Sequence, residues 1–209
     1  MQIAIIGTGK MAENLAKGWL KAGHEVALGS RDPAAHRQLA ESLGPKASVV
    51  THDEAVRLSS VVLLALPYAA CAGFVEARAA DLAGKVVVDM TNPFNVTPPD
   101  NLAGAEVTQR AIGHGVHIVA AFKTNYASAL TNPVDAAGTQ RDVFYCGNDE
   151  ASKGAVRALI TDLGLRPVDC GPLSAARALD LMVPLMIEMD RRLGGKGLAR
   201  RAHWKFATP

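Results

Sequence analysis

The chain opens with a short apolar run, Ile3–Ile6, and then changes period. From about Lys10 to Ala22 apolar residues recur at helical spacing, with Met11, Leu15, Trp19 and Leu20 on one face. Gly23 and His24 end that helix as a glycine cap would. Val26–Leu28 reads as a second strand. A second helix is predicted from Pro33 to Leu43, because proline suits a first helical turn and Gly44–Pro45 stops the helix. Ser48–Val50 is a third strand and Asp53–Arg57 a short helix. Ser60–Ala65 and Val86–Asp89 are a fourth and a fifth strand, nearly free of polar residues. Asn92–Asn101, rich in Pro and Asn, is a loop. Further strands are predicted near Ile118–Ala121, Val143–Cys146 and Pro167–Asp169, and helices near Ser152–Leu163 and Leu173–Leu193.

Strands this uniformly apolar belong to parallel sheets covered by helices on both faces. The β-α alternation therefore predicts the α/β class: a Rossmann-type, doubly wound, mostly parallel sheet with right-handed crossovers. No internal repeat or low-complexity linker divides the chain. Residues 1–172 read as one domain, and residues 173–209 as a short C-terminal helical extension. In that extension Leu179, Met182, Met186 and Leu193 fall in register on a wide apolar face. Such a face predicts packing across a two-fold axis, hence a homodimer.

The totals narrow the function classes. Of 209 residues, 49% are hydrophobic and 20% charged, which fits a packed core and not disorder. A net charge of +2 gives no reason to expect nucleic-acid or membrane binding. Arg191, Arg192, Lys196, Arg200, Arg201 and Lys205 concentrate positive charge at the C-terminal end; a solvated terminus is the simpler reading, an anion contact the other. Cys71, Cys146 and Cys170 are odd in number and lack C-x-x-C spacing, as suits a reducing cytoplasm, and each reads as a small buried apolar residue. Gln2–Ile6 reads as a strand of the fold and not as a leader. No apolar run approaches the roughly 20 residues of a membrane helix; Leu173–Met189 is interrupted by Arg177, Asp180 and Glu188.

The chemistry is concentrated in the turn after the first strand. Gly7-Thr8-Gly9-Lys10-Met11-Ala12 has the pattern G-x-G-x-x-A. Gly7 allows a tight turn, Gly9 lets a diphosphate approach the backbone, and Ala12 lets helix and strand pack closely. The helix N-terminus that follows offers free N–H groups and partial positive charge to an anion. Its place between a strand and a helix is the context that gives this otherwise generic motif weight. Enzymes that prefer NAD carry an acidic residue about 20 positions further on, against the ribose 2′-hydroxyl. Here the second strand ends Leu28-Gly29-Ser30-Arg31. Ser30 can hydrogen-bond, and Arg31 can pair with, a 2′-phosphate. Asp32 precedes Pro33 and reads as a helix cap facing away. The cofactor expected is NADP(H).

The opening IAIIGTGKMAENLA, followed by LGSRDP, VVLLALPY, VVVDMTNP, VAAFKTNYASAL, YCGND and GPLSAARALDLMVPLMIEM, resembles the NADPH-dependent reductases of the deazaflavin coenzyme F-420 (F420 below). It is similar too to the related cytoplasmic domains of six-transmembrane ferric reductases. The tail GGKGLARRAHWKF also resembles that family's end. The resemblance implies that Gly7, Thr8, Gly9, Lys10 and Met11 surround the pyrophosphate, with Ser30 and Arg31 at the 2′-phosphate. A further basic residue of the family would fall on Ala35, so His36 or Arg37 would have to substitute. Leu66-Pro67-Tyr68 would close over the ribose side, and Asn92-Pro93 would lie by the nicotinamide. Ala121 would border the cofactor, while Phe122, Lys123 and Asn125 would line an acceptor pocket. Lys123 stands where the family often has Asn. It would either attract an anionic acceptor or point outward.

What the resemblance implies is hydride transfer between NADPH and a small-molecule acceptor, with F420 or a flavin as co-substrate. In that chemistry the protein supplies positioning and water exclusion, so no catalytic nucleophile is expected. His114 and His117 lie three apart, but Gly113 and Gly115 break any helix there, and no metal site is expected. Met182, Met186 and Met189 read as packing residues. The opening fits pyrroline-5-carboxylate reductases and 3-hydroxyacid dehydrogenases nearly as well. Those carry an extra helical domain of about 100 residues, and Leu173–Pro209 is too short for one. An NADP(H)-binding sensor without turnover is the alternative from another class.

Overall fold

The computed structural model describes residues 1–193 and 202–207. The whole GGKGLARR stretch (194–201), with Lys196, Arg200 and Arg201 of the basic tail, and the Leu193 side chain lie outside the described residues. In chain order the elements are β1 (Gln2–Ile6), α1 (Lys10–Lys21), β2 (Glu25–Ser30), α2 (Arg37–Leu43), β3 (Ala47–Thr51), α3 (His52–Leu58), β4 (Val61–Leu64), α4 (Tyr68–Glu76), α5 (Ala79–Leu82), β5 (Val86–Asp89), α6 (Gly104–Ile112), β6 (His117–Ala120), β7 (Asp142–Gly147), α7 (Glu150–Asp162), β8 (Arg166–Asp169) and α8 (Ala176–Leu193). The strands form one sheet in the order β3-β2-β1-β4-β5-β6-β7-β8. The first six run parallel. β7 turns back against β6 and pairs in parallel with β8. The fold is the doubly wound, mostly parallel α/β sheet that the apolar strands predict.

Alternation along each strand divides the core in two. Ile3 and Ile5 of β1 face a layer built on α1 and α7, where Leu15, Trp19, Val156 and Leu159 are buried. Ala4 and Ile6 face the opposite layer of α3, α4, α6 and the start of α8. Trp19 satisfies its indole by donating Nε1–H to the Leu159 carbonyl (2.9 Å), and its ring meets Phe122 edge to face.

Three helices have no counterpart among the predicted elements. In α4, YAACAGFVE, the exposed side is made of Ala69, Ala70 and Gly73, which contrast little with the buried Cys71, Phe74 and Val75. α5 is a single turn. α6 begins without a capping hydroxyl or carboxylate at Ala103; Glu106 instead reaches back to accept the Ala103 N–H at 2.8 Å.

α8 corrects the expected dimer face. Leu179 and Met186, expected to point across a two-fold axis, are buried against the chain itself, as is Val183. The apolar residues that α8 turns outward are Leu181, Leu185, Ile187 and Met189. Spacing alone marked the wide stripe but not which part of it the sheet would take.

Residues 202–207 return to the sheet. Trp204 donates its indole N–H to the Met182 carbonyl, and buried Asp142 gathers the segment. Asp142 accepts from Arg166 Nε (2.7 Å), Lys205 Nζ (2.9 Å) and the Phe206 amide (2.8 Å), while Arg166 also donates to the Phe206 carbonyl. Burial raises the carboxyl's pKa, but the hydrogen bonds from Arg166, Lys205 and Phe206 outweigh it and bring it to about 2. An unfolded Asp titrates near 3.9, so the clasp contributes fully above that pH and is lost as pH falls towards about 2. In a Trp19→Phe background, Trp204 emission should therefore stay constant down to about pH 4 and shift to the red below it. Asp142→Asn should show the shifted emission already at neutral pH. An unshifted spectrum would remove Asp142 as the fastening point.

Candidate active site

β1 has β2 on one side and β4 on the other, so successive crossovers leave in opposite directions from its C-terminal end. Open α/β sheets bind ligands in the crevice this creates. The turn there is dictated by sterics. Gly7 has φ +128°, and a Cβ on it would lie 2.4 Å from the Ala65 carbonyl oxygen. Its amide donates to the Gly29 carbonyl at 2.9 Å, tying β1 to β2. Gly9 is extended at the N-cap of α1, and no side chain caps the helix. A Cβ on Gly9 would meet nothing within 4 Å, so its missing side chain leaves a cradle of open space over the first-turn amides.

Two cavities flank this turn and share Ala65, Leu66 and Pro67. The first, about 540 Å³, takes in Gly7, Thr8, Gly9, Ser30 and Arg31. Ser30 Oγ accepts the Asp32 amide (3.1 Å), which leaves its O–H to donate. Asp32 accepts from the Ala35 amide at 3.2 Å, as its expected capping role requires, but it borders this cavity and does not face away from it. His36, which would have to substitute at the position of Ala35, lies within 3.2 Å of Thr8 Oγ1 and borders the same cavity; Arg37 does not. His52 also borders it, packed edge to face on Phe74. Burial, then the charges of Arg78 and Arg31, lower the His52 pKa against the pull of Asp53, so the ring is neutral at pH 7.

The second cavity, about 550 Å³, is mainly apolar and brings together Lys10, Met11, Asn92, Phe122 and Asn125. Tyr68 stands at its edge. Burial, then Asp180 and Asp89, raise the pKa of its phenol. Phe122 is buried with φ +60°, a strained conformation for a bulky residue. Val183 and Ile187 of α8 close the far wall. Pro93 and Ala121 border neither cavity; Ala121 is fully buried and donates its amide to Asp89.

Lys123 is a correction. It neither points outward nor faces the cleft: its side chain is wholly buried. Its ammonium lies 2.9 Å from Asp180 Oδ1 and 3.8 Å from Asp89 Oδ1, and donates to the Thr91 carbonyl. Asp89 also accepts from the Thr91 amide and hydroxyl (2.8 Å each) and from the Thr108 hydroxyl (2.7 Å); Asp180 accepts the Gly104 amide (2.8 Å). Two buried carboxylates attract the ammonium inward more strongly than any cleft anion can. Burial pushes the Asp180 carboxyl up, against the pull of Lys123.

His52, Val183 and Ile187 had no warning in the sequence, since only the packing of α3 and α8 brings them to the cavities. His117 opens β6, and His114 lies in the turn before it. Cys71 and Cys146 are buried, and burial pushes both thiols up to about 12.

The donor set suits a phosphorylated dinucleotide. A cradle lies over helix amides, Arg31 stands exposed beside a serine, and the nearby Asp32 carboxylate already accepts a backbone amide. At the far end Asn92 borders the second cavity, and its Oδ1 is buried with no hydrogen-bond partner among the described residues. Fold and site together define a dinucleotide-binding α/β oxidoreductase.

Comparison with known proteins gives the family. Residues 2–93 match the family described as NADP oxidoreductase, coenzyme F420-dependent. The F420-dependent NADP reductase of Methanocaldococcus jannaschii is 30% identical, covering 96% of this chain and 97% of that one. The rat metalloreductase STEAP3 is 29% identical over 89% of this chain but only 37% of its own. A crystal structure from Arthrobacter sp. FB24, described only provisionally as an F420-dependent NADP-reductase, superposes with a TM-score of 0.88 at 28% identity over 99% of each chain. This chain belongs to the family of F420-dependent NADP oxidoreductases. No described helix is long and apolar enough to cross a membrane.

The two motif glycines should separate on substitution. Gly7→Ala forces a Cβ into the Ala65 carbonyl at positive φ and should cost at least about 2 kcal/mol. Gly9→Ala meets open space and should change stability by less than about 0.5 kcal/mol. Denaturant melts of both variants check this; equal effects would contradict the steric assignment.

Proposed function

We propose that the protein transfers hydride between NADPH and a deazaflavin acceptor, coenzyme F420 or a close flavin analogue. The observation that carries this reading is a pair of adjoining cavities that share Ala65, Leu66 and Pro67. One has Ser30, Arg31 and the Gly7–Gly9 turn in its wall, and the other is an apolar chamber.

In this reading Thr8, Gly9, Lys10 and Met11 hold the diphosphate at the start of α1, and Ser30 and Arg31 hold the 2′-phosphate. His36 stands in for the basic residue missing at Ala35. Leu66 and Pro67 form the bridge between the two cavities, and Pro93 keeps Asn92 extended beside the ring. Ala121 packs behind the cofactor without touching it. Phe122 and Asn125 line the acceptor side, and Phe122, Val183 and Ile187 exclude water there. When bound, the nicotinamide supplies a hydride at C4. No side chain of this chain acts as nucleophile; the contribution is positioning in a dry cleft.

Residues 1–172 would be the nucleotide-binding unit, and residues 173–209 the extension that walls the acceptor chamber. Leu181, Leu185 and Met189 form an exposed apolar stripe of α8, on the side of the helix away from Val183 and Ile187. A homodimer would pack through that stripe. Free cysteines suit a cytoplasmic enzyme.

Stopped-flow mixing of NADPH-loaded protein with F420, FMN and ferric chelates should show fastest oxidation with F420. No oxidation by any of the three would favour the sensor reading. Arg31→Ala should weaken NADPH about 10- to 100-fold by fluorescence titration and leave NADH within about twofold, because only the former loses a charge-assisted contact. Equal losses would reject the 2′-phosphate role.

A further inference from the structure

The polar network beneath the cleft is centred on Lys123. Its side chain and main chain grip the same two residues of the loop after β5. The ammonium donates to the Thr91 carbonyl, and the Lys123 carbonyl accepts Asn92 Nδ2–H at 2.9 Å. Thr91 is held a second time by Asp89, through amide and hydroxyl. With Nδ2 committed to Lys123, the orientation of the Asn92 amide is settled, and Oδ1 is the acceptor left over. The charge holding this arrangement comes from elsewhere in the chain. Asp180 projects from α8, the helix whose Val183 walls the cleft, and also accepts the first amide of α6.

We propose that Lys123 is a positioning residue for the nicotinamide end of the cleft: its ammonium, held by Asp180 and Asp89, fixes the Thr91–Asn92 peptide and so sets where Asn92 stands in the wall against which the ring would lie. This rests on the reading of the cleft as an NADP(H) site. A lysine is suited to the task by its length. It spans from the loop after β6, under the end of β5, to α8, and locks three elements to one point. An asparagine at this position could not reach both Thr91 and Asp180.

The test must separate positioning from mere stability, because removing one partner of a buried ion pair is strongly destabilising. Lys123→Met alone would leave two buried carboxylates facing each other. The informative variant is therefore Lys123→Met/Asp180→Asn, which removes one charge of each sign. Three quantities are measured on it and on the wild type: the melting temperature, binding of adenosine 2′,5′-bisphosphate, and binding and fluorescence of NADPH.

The bisphosphate reaches only the Arg31 end, so its affinity should stay within about twofold in the double variant. NADPH affinity should fall about fivefold, an effect of the size of one hydrogen bond, as Asn92 shifts in the cleft wall. The reduced nicotinamide's emission should lose the enhancement it gains on binding, and kcat should fall more than KM rises. Asp180→Asn alone keeps the lysine on Thr91 and should retain most of the enhancement. A double variant that melts cooperatively and binds both ligands like the wild type would overturn the proposal, leaving Lys123 as packing only. Parallel losses for both ligands would also overturn it, since the effect would then not be local to Asn92. A wild type that binds neither ligand would overturn the cleft reading itself and the proposal with it.

Discussion

The fold and the site both depend on how closely two strands approach at the sheet's switch point. Gly7 passes against the Ala65 carbonyl with no room for a side chain, and its amide is bonded to Gly29 of the next strand. That contact fixes the ends of β1, β2 and β4 relative to one another. It thereby sets where α1 begins, and with it the direction of the helix amides. Both cavities open from this point, and Ala65–Pro67 belong to each. A bend there with ordinary side chains would separate the glycine cradle from Ser30 and Arg31.

The floor of the cleft is held differently, by charge instead of shape. Asp89, Lys123 and Asp180 are all buried, and taking a charged side chain out of water costs several kcal/mol. Their mutual attraction, with donors from Thr91, Thr108 and Gly104, offsets that cost in a medium where charge interactions are strong. A buried network of this kind is weak evidence for stability; what it does is hold Thr91 and Asn92 through several contacts at once. It joins β5, α6, the loop after β6 and α8 at one place, directly under Asn92. Phe122, in its strained conformation, is the residue next to Lys123.

α8 does two jobs along its length. Its inner residues, Leu179, Val183 and Met186, complete the core on one face of the sheet, while Asp180 supplies the counter-charge to Lys123. On its outer side Leu181, Leu185 and Met189 are exposed, and nothing among the described residues covers them. Residues 202–207 then return to Asp142, at the end of β7 away from Gly147, so the C-terminal region is anchored both on the sheet and on α8.

By itself the sequence determined the class of fold and the glycine turn, and it supplies the Ser30–Arg31 pair on which the proposed 2′-phosphate contact rests. Each of these is local: strand and helix periods, a G-x-G-x-x-A spacing, and a serine–arginine pair at a strand end where an acid would otherwise stand. The amino-terminal strands fell within a residue or two of their positions, because five apolar runs separated by amphipathic helices leave little choice. α4 and α6 were not legible, since one is apolar all round and the other starts without a capping side chain. Only tertiary structure decided which face of α8 turns inward, which distant residues wall the cleft, and where Lys123 points. A lysine reads as exposed or ligand-seeking until the chain places Asp89, Asp180 and the Thr91 carbonyl around it. Those groups lie 34, 57 and 32 positions away (from Asp89, Asp180 and Thr91 to Lys123), beyond the reach of any periodicity.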